Sequence, residues 1–208
     1  MLLPLLAAAA AVTARPAPPF EAVELAAALG PVSAQVGSWA EYLIRSRAGE
    51  DLRVRLSLIP PAVEGSRVWL EVTALGAQAL PFAARLLLGE SGRPERAVVY
   101  ALGQAPIEIP ISGWEGRGPK TERLAPPRRA TRVGSARVTV PAGTFDVEEL
   151  RIVPTGAATR VWRSSHVPLW GLVRADGPRE TVELTAYGRQ GARSVFPDAQ
   201  GKGSESAK

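Results

Sequence analysis

The chain of 208 residues contains no cysteine, a single histidine (His166) and a single methionine. Without cysteine there can be no disulfide framework, thiolate zinc site, iron–sulfur cluster or cysteine nucleophile. One histidine excludes multi-histidine metal sites, and it would be the sole histidine base for a serine hydrolase. Lysine is scarce as well: of 25 basic residues, only Lys120, Lys202 and Lys208 are not arginine. Aromatic residues make up only 6% of the chain. The longest apolar run, Met1 to Ala14, is shorter than the roughly 20 residues a membrane-spanning helix needs. Glycine (20) and proline (19), in contrast, are plentiful, which favours many turns over long helices.

The first 14 residues, MLLPLLAAAAAVTA, fit the apolar region of a secretory signal, with Val12-Thr13-Ala14 as a small-residue cleavage site. They predict an exported, soluble product, periplasmic or alternatively extracellular. No cysteine follows them to carry a lipid anchor. Residues 15–19 (RPAPP) read as a linker, residues 20–195 as one β-rich domain and residues 196–208 as a polar, disordered tail. Within the domain, Phe20 to Leu29 has helical spacing and is stopped by Gly30-Pro31.

From Ser38 onward the apolar period becomes two. Leu52, Val54, Leu56 and Leu58 alternate with Arg53, Arg55 and Ser57; Val68, Leu70 and Val72 alternate with Trp69, Glu71 and Thr73. Further strands are expected at Trp39–Arg47, Ala83–Leu88, Arg96–Leu102 and the proline-bearing edge Gln104–Ile111. Others follow at Ala136–Val140, Phe145–Val153, Thr159–Arg163, Gly171–Ala175 and Glu180–Tyr187. The predicted class is mainly β. It is a curved antiparallel sheet or incomplete β-barrel with one short N-terminal helix, a β-sandwich being the alternative.

Few residues suggest chemistry. The loop Gly113 to Thr121 resembles a phosphate-binding loop only until Pro119 separates Gly118 from Lys120 and removes an N–H. His166 has neighbouring serines but no nucleophile elbow anywhere in the chain. Glu148-Glu149 sit on a strand, where neighbours point to opposite faces and cannot flank one substrate. The four aspartates are scattered without metal-ligand spacing. The reading is therefore a non-enzyme with no cofactor, no metal and no nucleic-acid partner.

Two binding features stand out. Arg117, Lys120, Arg123, Arg128, Arg129, Arg132 and Arg137 form a basic stretch, read as a loop, that could meet an anionic lipid surface or an envelope protein. These seven charges against Glu122 exceed the net charge of the whole chain, +5, so the remainder is close to neutral. Trp39, Trp69, Trp162 and Trp170, with Trp114, could line a cavity for an apolar ligand in a curved sheet.

The second half also carries a family resemblance. Val138 to Phe145 (VTVPAGTF), Val161-Trp162-Arg163-Ser164, Val167 to Val173 (VPLWGLV) and a final strand Glu180 to Tyr187 resemble exported bacterial envelope proteins of the LolA-like lipoprotein-carrier group. The resemblance implies an unclosed barrel with an apolar concave face, able to shield lipid or acyl chains. Fewer helices are expected here than such carriers typically have, and no matched position defines a binding site. The sequence thus points to an exported envelope protein that binds a lipid or other apolar ligand. The alternative is an interaction module docking through a sheet edge and the basic stretch 117–137.

Overall fold

The computed structural model of the chain describes residues 32, 34–47, 49, 51–60, 67–76, 82–90, 94–101, 106–109, 130–152 and 158–196. The strands, in chain order, are β1 (Trp39–Ser46), β2 (Leu52–Ile59), β3 (Val68–Leu75), β4 (Phe82–Leu88), β5 (Pro94–Ala101), β6 (Ile107–Ile109), β7 (Thr131–Val140), β8 (Gly143–Ile152), β9 (Thr159–Arg163), β10 (Leu172–Asp176) and β11 (Glu180–Gly188). They form one antiparallel sheet of 11 strands in the order β6-β5-β4-β3-β2-β1-β11-β10-β9-β8-β7. Two meanders therefore run outward from the centre, one built from each half of the chain. The first and last strands join them, with Trp39 opposite Gly188 and Ser46 opposite Glu180.

This is the expected mainly β architecture, and the sheet stays open. All the strands share one hydrogen-bonded sheet, so the sandwich alternative is not adopted. The helix expected over residues 20–29 lies outside the described residues, as do the signal segment 1–14, the linker 15–19 and residues 197–208 of the tail.

One face of the sheet is apolar, as the period-two pattern requires. Ala40 and Tyr42 of β1 lie opposite Leu56 and Val54 of β2, which lie opposite Val72 and Ala74 of β3. The same face continues through Ala84 and Leu86 of β4 and, in the other half, through Val182, Leu184, Ala175 and Val161. Each fully buried valine or leucine here stabilises the fold by about 1.5–3 kcal/mol. The second half also curls. The Ala142 N–H, in the β7–β8 turn, donates to the Leu184 carbonyl at 3.2 Å, and the rings of Phe145 and Tyr187 are 5.8 Å apart. The Tyr42 hydroxyl, reaching from β1 past β11, donates to the Leu172 carbonyl of β10 at 3.3 Å. Burial drives the phenol pKa of Tyr42 up, which keeps this donor protonated. Register shifts at Glu41/Tyr42, Leu172/Arg174 and Arg132/Gly134 add the twist that such curling needs.

The largest difference from the expected strand boundaries lies in β7. The strand foreseen from Ala136 begins at Thr131, so residues 131–135 of the basic stretch are sheet, not loop. Thr131 and Val133 are β-branched residues with high strand propensity, and the shift beside Gly134 absorbs the one position that does not pair.

Candidate functional site

The polar face of the sheet carries Trp39, Trp69 and Trp162 on three different strands. Trp39 is on β1, where the Arg55 guanidinium carbon lies 4.1 Å from its ring and its indole N–H donates to the Gln190 carbonyl at 3.1 Å. Trp69 is on β3, under Arg85 at 4.6 Å. Trp162 of β9 pairs in register with Arg174, at 5.6 Å from the ring. Each of the three is thus covered by an arginine from a neighbouring strand, a cation–π arrangement that fills the space above the ring. Trp170, in the turn between β9 and β10, belongs to the apolar core, 7% exposed, and Trp162 is half-buried against that core. Trp39, Trp69, Trp162 and Trp170 thus stand on β1, β3, β9 and the β9–β10 turn, and Trp114 lies outside the described residues.

The same face is balanced in charge. Arg45 binds Glu183 at 2.7 Å, Glu183 also lies 3.6 Å from Arg174, and Arg55 binds Glu41 at 3.2 Å. At the β5–β6 end Arg96 holds Glu108 through two bonds of 2.8 Å, which lowers the pKa of that carboxyl.

Of the basic stretch, Arg117, Lys120, Arg123, Arg128 and Arg129 lie outside the described residues. Arg132 and Arg137 stand on β7, exposed but paired across to β8, with Glu148 at 2.9 Å and Asp146 at 3.0 Å. The Arg137 guanidinium lowers the pKa of the Asp146 carboxyl. β7 is the edge strand of its half, and Val133, 58% exposed, is one of the most exposed large apolar residues described. A shallow depression beside it is lined by Ser135, Ala136, Asp146, Val147 and Glu148.

A cluster that sequence reasoning missed lies on the polar face of β2 to β5. After β11 the chain turns back across the sheet and ends its described course at Phe196. Gly37 accepts from the Ala192 N–H at 2.8 Å and starts this strap on its path. The Ser194 hydroxyl then donates to Glu71 Oε1 at 2.6 Å and the Val195 N–H donates to Glu71 Oε2 at 3.2 Å. Phe196 stacks on Tyr100, with centroids 4.1 Å apart, and Arg85 lies 5.6 Å from its ring. Beneath the strap, Ile59, Ala83 and Val98 are buried outside the main core. Glu71 is 2% exposed. Burial pushes its pKa up, against the two strap hydrogen bonds and the charge of Arg85, which pull it down. Phe196, expected at the start of the disordered tail, is instead 8% exposed and packed. A lone aromatic in an otherwise polar terminal segment was the only local sign of this.

His166 is exposed in the β9–β10 turn, with Nδ1 3.4 Å from the Ser164 hydroxyl. That serine is itself buried, only 5% exposed, which does not suit a nucleophile that must meet substrate. Arg163 Nε donates to the Trp170 carbonyl at 2.7 Å across the same turn, and Leu169 takes a left-handed φ of 65°. Among the described residues no group of three or more His, Cys, Asp or Glu could hold a metal ion. Among the described residues no helix is long and apolar enough to cross a membrane.

The fold places the chain among open antiparallel β-sheet proteins. No protein-family model matches it, and no curated protein matches its sequence. Several solved structures are similar at a distance, three of them as follows. A Bacteroides fragilis protein, provisionally classed as exported and having a YmcC-like fold, aligns with TM-score 0.37 and 14% identity over 76% of this chain and 98% of its own. A protein of Parabacteroides distasonis, provisionally classed as a lipoprotein, aligns with TM-score 0.34 and 12% identity over 77% and 98%. MucB aligns with TM-score 0.42 and 14% identity over 88% of this chain and 62% of its own. At this distance the likeness is one of general strand layout, and what those proteins do is not carried over.

Proposed function

We propose that this chain is an exported, non-enzymatic envelope protein whose sheet edge docks on another envelope component. The observation that carries this reading is β7: ten residues long, at the edge of an open sheet, with Val133 exposed on it. An edge strand offers a row of backbone N–H and C=O groups to which a partner's extended segment can add. The basic residues 117–129 precede β7 directly, so a partner segment rich in Asp and Glu suits it. Export is supported by the apolar segment 1–14 and its small-residue cleavage site. The test is capture of envelope proteins by the wild-type chain and by Val133→Pro, which removes the backbone N–H of an edge-strand residue and replaces its exposed valine side chain. Loss of the captured partners in a variant of unchanged melting temperature is the expected result. An unchanged set of partners would overturn the edge role.

The carrier reading has one observation in its favour, the apolar face that continues across both halves of a curled, unclosed sheet. It fits the LolA-like motifs and would give the protein a lipid or acyl chain to shield, in the periplasm. Lipid extraction and mass spectrometry of the purified protein test it, and recovery of no lipid or other apolar ligand would count against it.

A further inference from the structure

The strap crossing β2 to β5 is bound as a peptide ligand would be. Its Ser194 hydroxyl and Val195 N–H both donate to one buried carboxylate, Glu71, and two residues after the serine an aromatic ring stacks on Tyr100. These contacts recognise one backbone N–H and two side chains presented on a bend at Val195, which the Phe196 N–H closes by donating to the Ser194 hydroxyl oxygen at 3.1 Å. Within the strap they need only this local turn, and Val195 between the anchors is 55% exposed. A second observation concerns the receptor side. Arg85 lies over Trp69 and beside Tyr100 and Phe196, and its Nε is buried without a hydrogen-bond partner among the described residues. A buried donor is ordinarily paired, so the strap is not a full complement to this surface. A ligand carbonyl at that place would complete it.

From these contacts we infer that the polar face of β2 to β5 is a recognition slot for a short bent peptide segment of another protein, carrying a hydroxyl residue two positions before an aromatic one. Gly191–Phe196 fills this slot in cis and is displaced when the partner binds. Displacement is local, because the strap is held by side chains and a few isolated bonds rather than by a strand ladder. The left-handed φ of Gly191, +86°, places a pivot at its start. This slot is separate from the β7 edge, so either can fail without the other.

The probe is a synthetic peptide of residues 189–200, titrated into the full-length double variant Ser194→Ala/Phe196→Ala, whose own strap has lost its anchors. The folded variant is expected to bind this peptide. A scrambled peptide, or one lacking the serine hydroxyl and the phenylalanine ring, is expected not to bind. Adding Glu71→Ala should weaken binding roughly tenfold or more, since two bonds to a charged acceptor are lost. A folded double variant that ignores the peptide would overturn the inference. Hydrogen exchange of the wild type supplies an independent reading. The Val195 amide should exchange much faster than those of Leu70 and Val72, whereas equal rates would mean that the strap opens only with global unfolding and the slot is never free.

Discussion

Two glycines show how differently one residue type can matter. Gly171 has φ +73°, and a Cβ built there would stand 2.8 Å from the Ser164 carbonyl oxygen. Gly171→Ala should therefore lower stability by about 2 kcal/mol or more, from left-handed backbone strain and the contact together. Gly134 has open space around it, so Gly134→Ala should change stability by less than about 0.5 kcal/mol. Denaturant midpoints of both variants check the contrast. Glu71 makes a second prediction at this level. Its pKa in the folded chain is raised above the ordinary value of 4.5. The folded state thus holds the proton more tightly than the unfolded one, and stability is lost as pH climbs from 4.5 through the raised value. Glu71→Gln removes that titration. The variant should gain stability relative to wild type as pH rises from 4 to 7, and a flat or opposite difference would contradict the assignment.

Among elements, β7 is the most instructive. Its latter part, from Ala136, was legible from alternation and from the VTVPAGTF hairpin. Residues 131–135 were not, because arginines and a glycine there resemble a solvated loop until Glu148 and Asp146 are found opposite. Arg132→Ala should cost less than about 1 kcal/mol in thermal or denaturant unfolding, since the pair is largely exposed. A loss of several kcal/mol would mean that the pair anchors the strand. The tryptophans teach the opposite lesson. Alternation on β3 already put Trp69 on the same side as Glu71, away from Val68, Leu70 and Val72. Register puts Trp39 on that same polar face, and each of the two rings has an arginine above it.

The molecule as a whole depends on β1 meeting β11. That pairing joins the ends of the domain and makes two meanders one sheet, with Leu184 fully buried beside the seam. Leu184→Ala is expected to cost about 2–5 kcal/mol. Because the seam is shared, amide protection in β4 and β8 should fall together; protection lost in one half alone would show two independent units. Most of the architecture could be read from period-two runs and turn residues, since each strand pairs with its neighbour in sequence. Alternation and turn chemistry are local, and they are enough for the strands, their faces and the open antiparallel class. The candidate slot depends on contacts that no local pattern encodes. Glu71 and Ser194 lie 123 positions apart, and Glu71 reads as an ordinary solvated strand residue until the strap folds over it. Burial of a polar face is created by whatever returns to cover it, so only the folded chain could reveal that carboxylate, its raised pKa and the peptide it holds.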